Sequence, residues 1–360
     1  MKKRWLSLLL LFCLLASLPT GCRQPAAEQV PTNAETTAAP TETEIPKATE
    51  APPTPTETEI PQATEAPRQG YRFADHAEAA DLLLSERRYY ENLSQNDLNY
   101  RLQKTDATLP ELEAFTREQT RDFTDAEKAA IDEAMQAIFA ASAERGYRLP
   151  PLEDVIICKT TMLEECGAGA YTHGTKIFLG EYFMEYALSE DPGIQAYFRM
   201  ILAHELFHCL TRNNPDFRAD MYRILGFTVV DEDYVFSPEI QAVIISNPDV
   251  GHHNSYAAFE IDGVLRDCVV VFIADPFEKP GDSFFNSMQT GLVPIDETDV
   301  MYSSEDAKNF WDVFGRNTEY VIDPEETLAD NFGMLIVYGA DAGYTTPELI
   351  KAIDAYLKTR

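Results

Sequence analysis

The chain has 360 residues, of which 45% are hydrophobic and 11% aromatic, enough to bury the core of one large or two modest domains. Its formal net charge is −31 at pH 7. A protein this acidic repels nucleic acid phosphates, which excludes nucleic acid as a partner. The acidity otherwise favours solubility and indicates no substrate.

The first 22 residues have the pattern of an export signal. Residues 2–4 are basic, and residues 5–18 form an apolar run shorter than the ~20 residues that a membrane-spanning helix needs. The run ends in Leu-Pro-Thr-Gly-Cys at residues 18–22, which resembles the lipobox of bacterial lipoproteins, although proline stands where that motif usually has leucine. The resemblance implies cleavage before Cys22, a lipid anchor on that cysteine, and a position on the outer face of a bacterial membrane. An ordinary secretory signal is the alternative, and both predict export.

Residues 23–70 are rich in Pro, Thr, Glu and Ala, and residues 40–52 recur almost unchanged as residues 55–67. The two isolated isoleucines of this stretch cannot build a core, and its prolines remove backbone hydrogen-bond donors. The composition therefore predicts a disordered linker with a tandem repeat. It would tether the anchor to a folded domain formed by residues 71–360.

The folded domain should begin with helices. Leucines at loosely helical spacing predict helical structure over residues 75–122. A better-marked helix follows, because Thr124 and Glu127 have the spacing of a capping box and Gly146 provides a helix end.

Two strands and a long helix are predicted next. Residues 155–158 form a short apolar run typical of a buried strand, and residues 171–179 predict a second strand with a bend at Gly174. Asp191 followed by proline marks the start of a helix that should run to about Arg212, where Asn-Asn-Pro ends it. One more helix is expected up to Gly226.

Residues 228–320 change in character. Short runs of β-branched and aromatic residues, among them residues 243–245, are separated by Pro, Asp and Gly and predict a β-rich segment. Helical spacing returns at residues 304–314, 323–338 and 346–358. Groups of strands and groups of helices that follow one another predict an α+β fold.

The residues that point to chemistry are His204-Glu205-Leu206-Phe207-His208, inside the long predicted helix. Histidines four apart lie on one helix face, so both imidazoles can reach one ion. Zinc binds imidazole nitrogen at ~2.0–2.1 Å, and two histidines supply two of the three protein ligands of a catalytic site. Glu205 can lie beside such a metal and take a proton from its bound water. The alternative interpretation is a pair of core histidines beside a salt-bridged glutamate.

A third ligand is expected from the helix predicted at residues 323–338. A metzincin would have Gly and a third His shortly after the motif, and this chain has neither there. Instead, Glu326 and Asp330 lie four residues apart, which resembles the Glu-x-x-x-Asp element of gluzincins, the thermolysin-like zinc metallopeptidases. The resemblance implies that Glu326 is the third zinc ligand and that Asp330 orients His204. Glu325 faces another side of the helix and is the weaker candidate. The alternative for Glu326 is an acidic residue favoured by the helix dipole.

The same resemblance implies a zincin-like fold for residues 71–360. The two ligand segments lie further apart than in gluzincins generally, so residues 228–320 would form an inserted β-rich subdomain. Residues 171–179 look like the zincin edge strand, which pairs with an extended substrate backbone by β-augmentation. That pairing favours peptides over other carbonyl substrates.

The donor that stabilises the developing oxyanion is predicted in the turn-rich loop before residue 257. The candidates in that loop, each also compatible with an ordinary exposed role, are His252, His253 and Tyr256. Tyr338, on the helix of Glu326, is a weaker candidate. The residues expected to be structural are His76, His173 and Trp311. Four cysteines of the domain either form disulfides, in one of three pairings, or stay as buried thiols.

Together these features predict a zinc metallopeptidase that acts on peptide or protein substrates at the cell surface. Its zinc ligands would be His204, His208 and Glu326, and Glu205 would be the general base. Two alternatives stay open. One is a non-catalytic surface lipoprotein, a binding module on a zincin scaffold, and the other is a zinc amidase that acts on cell-wall material.

Overall fold

The computed structural model describes residues 70–153 and 155–360. The predicted signal with Cys22, and all of the predicted linker except Gly70, lie outside the described residues. The described residues combine helices and sheets, so the fold is of the mixed α+β kind, as predicted. None of the helices within them is long and apolar enough to cross a membrane.

The region expected to be loosely helical divides into four short helices. These are α1 (His76–Ser85), α2 (Arg87–Glu91), α3 (Gln95–Leu102) and α4 (Leu109–Arg117). Polar caps explain the division, since such side chains satisfy helix-terminal N–H groups and so favour a new helix start. Ser94 and Asp97 form a reciprocal capping box at the start of α3, and Thr108 and Glu111 do so at α4.

The first sheet has β3 (Val155–Thr160) in the middle, parallel to both β1 (Tyr71–Phe73) and β5 (Lys176–Gly180). A short β2 (Thr120–Arg121) also pairs with β3. The last strand, β4 (Ala170–His173), runs antiparallel to β5 and forms the edge of the sheet.

The single strand predicted over residues 171–179 is therefore wrong, because that segment is the β4–β5 hairpin. The chain turns back at Gly174, whose φ of +59° is a conformation that glycine adopts without steric cost. The half of the hairpin that precedes the turn keeps the predicted edge position.

Two long helices begin at the predicted caps. Thr124 and Glu127 form the capping box of α5 (Asp125–Glu144), and Asp191 caps α7 (Pro192–Asn213), which follows the short α6 (Met184–Ala187). Ten consecutive residues of α7, residues 202–211, are buried. A helix that is covered on all sides lies inside the core, and the predicted zinc motif falls within this stretch.

After α8 (Pro215–Ile224) the chain forms a second, antiparallel sheet in the order β10-β9-β8-β7-β6. Its strands are β6 (Thr228–Val229), β7 (Ser255–Ile261), β8 (Val264–Ile273), β9 (Gln289–Pro294) and β10 (Tyr302–Ser303). The β-rich segment is thus confirmed. The strand expected at residues 243–245 is not formed, since this stretch follows the short α9 (Pro238–Gln241) and Ile244 makes only an isolated bridge to Ile273.

Three helices complete the chain: α10 (Phe310–Phe314), α11 (Pro324–Tyr338) and α12 (Pro347–Thr359). Asp323 caps α11, as the sequence indicates, and α11 packs along α7. The two backbones approach closely at Gly333, where an added Cβ would lie 2.6 Å from the carbonyl oxygen of Met200. Glycine at this position lets α11 present its acidic residues to α7.

One large hydrophobic core joins both sheets with α5, α7, α11 and α12. Phe207 of α7 and Phe332 of α11 meet in it with ring centroids 5.4 Å apart. The cysteines of the described residues are free thiols, so none of the possible disulfide pairings is formed. Burial raises the pKa of the Cys158 thiol to about 12, which agrees with a packing role.

Candidate metal centre

The two motif histidines lie one turn apart on the buried part of α7. Their ring centroids are 4.8 Å apart, and both side chains are buried, His208 completely. Four-residue spacing on a helix places both rings on one face, as the sequence predicted. That face points toward the first turns of α11.

His204 is held between two carboxylates of α11. Its Nδ1 lies 2.8 Å from Asp330 Oδ1, and its Nε2 lies 3.1 Å from Glu326 Oε2. Burial works against a charged imidazole, but the hydrogen bonds to Asp330 and Glu326 outweigh it and raise the pKa of His204 well above its ordinary value. The structure thus brings together His204, Glu326 and Asp330, as the gluzincin resemblance implied. Each ring nitrogen of His204 faces one of the two carboxylates.

His208 is paired with a different carboxylate, that of Glu325, the weaker candidate for the third ligand. Its Nδ1 lies 3.2 Å from Glu325 Oε1, so the ring N–H at that position donates to Glu325. Glu325 also accepts hydrogen bonds from Thr211 and Tyr222. Burial alone would raise the pKa of Glu325, but the His208 hydrogen bond and the Arg212 charge lower it to about 2. Glu325 therefore orients the second histidine as a charged acceptor.

The other nitrogen of His208 is the group that tests whether a metal fits. His208 Nε2 is buried and has no hydrogen-bond partner among the described residues, although buried polar atoms are nearly always paired. It lies 3.8 Å from Glu326 Oε2, and the ligand atoms of His204, His208 and Glu326 all lie within 4.8 Å of one another. Two ligands of one tetrahedral zinc are separated by about 3.3 Å. The spacing and the donor set of two imidazoles and one carboxylate fit a divalent metal ion, and zinc is one ion that binds such a set.

Glu205 lies beside this cluster and is also buried. Its Oε2 accepts a hydrogen bond of 2.8 Å from Oγ1 of Thr172, on the edge strand β4. Burial raises the pKa of Glu205 above its ordinary value. A carboxylate with a raised pKa is suited to accept and return a proton. Glu205 is such a carboxylate, and it lies beside the ligand atoms of His204, His208 and Glu326 without being one of these three residues.

A fifth acidic residue, which the sequence did not predict, reaches the same place. Asp249, in the loop between α9 and β7, is buried and has its Oδ1 3.8 Å from His208 Nε2. Together with Glu205 and His208 it forms a second group of possible ligands. No motif in the sequence marks this aspartate, because it is brought to the site by the fold of the segment between α9 and β7.

The three loop residues proposed as oxyanion donors are not brought to the cluster. His252 is exposed and pairs with Asp233, and His253 packs edge-on against Phe236 at 5.5 Å. Tyr256 lies in β7 with its ring near that of Tyr234. These side chains point to the second sheet because the loop turns there to pair β7 with β6.

Another phenol lies closer to the ligands than the predicted ones. Tyr320 Oη accepts a hydrogen bond of 3.2 Å from Asn247 Nδ2, which also donates to Glu326 Oε1 at 2.9 Å. Tyr338, the weaker candidate, is 39% exposed at the end of α11. Tyr320 precedes α11 by a few residues, and nothing in its local sequence distinguishes it.

The remaining candidates take ordinary positions. His173 is buried in β4 among aromatic rings, and His76 is exposed and pairs with Asp122. Trp311 is half-buried at the margin of the core, with the Arg316 guanidinium 4.7 Å from its ring centroid.

Comparison with known proteins identifies no relative. No protein-family model matches the chain, and neither a curated protein nor a solved structure matches it at the significance required. The function is therefore argued from the site alone.

Proposed function

We propose that the protein is a zinc-dependent metallopeptidase of gluzincin type that hydrolyses peptide bonds at the outer cell surface. The observation that carries the proposal is the buried, unpartnered Nε2 of His208, which faces Glu326 beside His204. A buried nitrogen with no donor to accept from, next to a carboxylate, is stabilised by a cation between them. The site residues thus support a metal more strongly than they support a particular substrate.

The chain's own residues have separate roles in this proposal. His204, His208 and Glu326 would hold the zinc, while Asp330 and Glu325 keep Nδ1 of each histidine protonated, so that Nε2 carries the free lone pair. A zinc ion in such a site supplies a bound water with a pKa of ~7 and polarises the substrate carbonyl. Glu205 Oε2 would accept a proton from that water and return it to the leaving amine. Tyr320 Oη is the donor we assign to the oxyanion.

Peptides are the proposed substrates because an edge strand borders the site. Thr172 on β4 is bound to Glu205, so a chain that pairs with β4 would pass the general base. Backbone pairing of this kind recognises any extended peptide and leaves side-chain preference to neighbouring pockets. We propose that a lipid on Cys22 and the linker of residues 23–70 hold the domain at the membrane.

The experiment is metal analysis of the purified protein together with digestion of a peptide library. The protein should contain one zinc per chain and cleave peptides. The Glu205→Gln variant should keep the zinc and lose activity by roughly 10²–10⁴-fold, because it lacks the proton acceptor. Glu185→Gln, at an exposed glutamate of α6, is the matched control and should behave like the unmodified protein.

The outcomes separate the parts of the proposal. Zinc in both proteins with no hydrolysis in either would contradict the peptidase and favour a non-catalytic binding module or an amidase. Protein purified without chelator that holds no zinc would contradict the site. A Glu326→Gln variant with unchanged zinc affinity would move the third ligand elsewhere.

A further inference from the structure

Asp249 lies at a place where the metal site and the edge strand meet. Its Oδ1 accepts a hydrogen bond of 2.6 Å from the backbone N–H of Thr172, and the same oxygen is 3.8 Å from Nε2 of His208. The residue is only 5% exposed. One carboxylate oxygen therefore contacts β4 and faces the orphan histidine nitrogen at the same time.

The backbone N–H that Asp249 binds, that of Thr172, points away from the sheet. In the β4–β5 ladder the N–H of Gly180 donates to the carbonyl of Gly169, and residues of an antiparallel strand alternate in direction. Residues 171 and 173 thus point their backbone groups at β5, whereas those of Thr172 point outward. An extended peptide that added to the edge of β4 would need this outward N–H, and Asp249 occupies it.

The segment that carries Asp249 is fixed to the ligands themselves. Arg212, one turn after His208, donates to the carbonyl oxygen of Asp249. The N–H of Asp249 donates to Oδ1 of Asn247 at 2.9 Å, and Asn247 Nδ2 donates to Glu326 Oε1 at 2.9 Å. These contacts hold the carboxylate over the site in one orientation.

Ser246, which precedes Asn247, is anchored on the other side of this segment by the N-terminal helices. The N–H of Ser246 donates to Asp97 Oδ1 at 2.9 Å, and its carbonyl accepts from Arg101 at 2.8 Å. Arg101 in turn makes buried ion pairs with Asp97 and Glu165. Asp249 is therefore held in place by a buried network and is not a mobile loop side chain that happens to lie near the site.

Charge gives the reason for a metal contact. Asp249 adds a buried carboxylate to those of Glu205, Glu325 and Glu326, and buried carboxylates are paired or bind metals. Its separation of 3.8 Å from His208 Nε2 equals that of Glu326 Oε2 from the same nitrogen. Asp249 is thus as close to this nitrogen as the expected third ligand is, and it forms a group of possible ligands with His208 and Glu205, whereas Glu326 forms one with His208 and His204.

We propose that Asp249 is a fourth protein ligand of the metal and closes the position that water and substrate would use. This inference rests on the proposed zinc site and adds its regulation: the resting site is closed, and the Asp249 carboxylate must leave both the metal and the N–H of Thr172 before a peptide can pair with β4. Four protein ligands are typical of closed sites, and three with an open position of catalytic ones. Asp249 decides between the two states in this protein.

The test uses the full chain loaded with Co²⁺ or Zn²⁺ and compares Asp249→Ala and Asp249→Asn with the unmodified protein. The asparagine variant keeps the shape of the side chain and an acceptor for the N–H of Thr172, but it removes the charge. It also serves as the test if the alanine variant does not fold. Asp231→Ala, at an exposed carboxylate of a nearby loop, is the matched control. The readouts are zinc affinity by chelator competition, the visible spectrum of the Co²⁺ form, and its titration with acetohydroxamate, a small chelator that needs an open metal position.

We expect at least a tenfold lower zinc affinity in both Asp249 variants and no change in the control. The Co²⁺ band should weaken in Asp249→Ala, because loss of the carboxylate would leave room for more than one water and so raise the coordination number. Acetohydroxamate should shift that band at concentrations that leave the unmodified protein unchanged. Equal affinities, equal spectra and equal acetohydroxamate binding in all proteins would overturn the inference.

The experiment distinguishes failure of this inference from failure of the proposed zinc site. If Glu326→Gln weakens zinc binding and neither Asp249 variant does, the three-ligand site stands and Asp249 is not a ligand. If the unmodified protein binds neither metal, the proposed function fails, and the inference fails with it.

Discussion

Glu325 accepts the Nδ1–H of His208, just as Asp330 is paired with Nδ1 of His204, so two carboxylates of one helix orient the two histidines of another. Both contacts place a proton on Nδ1 and leave Nε2 of each ring facing Glu326. Because α11 supplies Glu326 as well, a single rigid helix positions a ligand and both orienting groups. The positions of these groups relative to the two histidines thus depend on how α11 packs against α7.

The Glu325→Gln change should weaken zinc binding by roughly 10–100-fold, as loss of orienting carboxylates does in other metal sites. A neutral amide accepts a weaker hydrogen bond from His208 and leaves Arg212 without its charged partner. Chelator competition measures the affinity. Glu319→Gln, at an exposed glutamate just before α11, is the control, and equal affinities in both variants would contradict the orienting role.

Thr172→Val should lower peptide hydrolysis by about tenfold or more while zinc content stays the same, because the hydroxyl that holds Glu205 is lost. Thr172→Ser keeps that hydroxyl and should restore most of the activity. Steady-state kinetics and metal analysis of the same preparations check both statements. Hydrolysis that is insensitive to valine would show that Glu205 is positioned by other groups.

Gly333→Ala should destabilise the fold by about 1–3 kcal/mol, the usual cost of forcing an extra methyl group into a packed interface. The added Cβ would press on the Met200 carbonyl, so α11 must shift away from α7. We therefore expect weaker zinc binding as well as a lower free energy of unfolding in urea. Gly343→Ala meets nothing within 4 Å and is the control, and a pair of variants with equal stability would argue against tight packing here.

His173 gives the protein a pH-dependent stability. Burial, with the charges of Lys176, Arg212 and Arg101, lowers the pKa of His173 to about 3. The unfolded chain binds a proton at the ordinary histidine pKa of ~6.5. The contribution of His173 is therefore complete above pH ~6.5 and is lost at about 1.4 kcal/mol per pH unit as the pH falls toward the folded pKa.

The His173→Phe variant tests this, since phenylalanine can pack in the same aromatic surroundings of Tyr89 and Tyr171. The slope of unfolding free energy against pH between 6 and 4 should decrease by the equivalent of one proton. Phe178→Leu is the control, because it removes core volume without removing a titrating group. A slope that is the same for His173→Phe and the unmodified protein would mean that His173 is protonated in the folded state.

Much of this site was accessible from sequence because its signals are local. The spacing of His204 and His208, the Asp191 and Asp323 caps, and the pair of Glu326 and Asp330 are all read within single helices. Helix geometry converts such spacing directly into a shared face. The structure places His204 and His208 on one face, as their spacing indicated, and it places Glu326 beside them, as the resemblance to gluzincins implied.

The rest of the site depends on contacts between distant segments. Thr172 meets Glu205 only because the chain turns back fully at Gly174, where the sequence predicted no more than a bend in one strand. Asp249 reaches His208 through the segment between α9 and β7, and Glu325 lacks the Asp four residues on that marks Glu326. The loop with His252 and His253 looked functional by composition, but β-pairing turns it toward the second sheet.

The separation of His204 from Glu326 is 122 residues, and the whole second sheet lies between them. A zinc ion shared by these two side chains would therefore fasten the ends of a very long loop, as a cross-link does, and restrict the unfolded chain accordingly. Glu326 does not meet the two histidines until α11 has docked, so a nascent chain that ends before α11 lacks this ligand. Metal capture would then follow folding, and loss of the metal would release the two ends of this segment from each other.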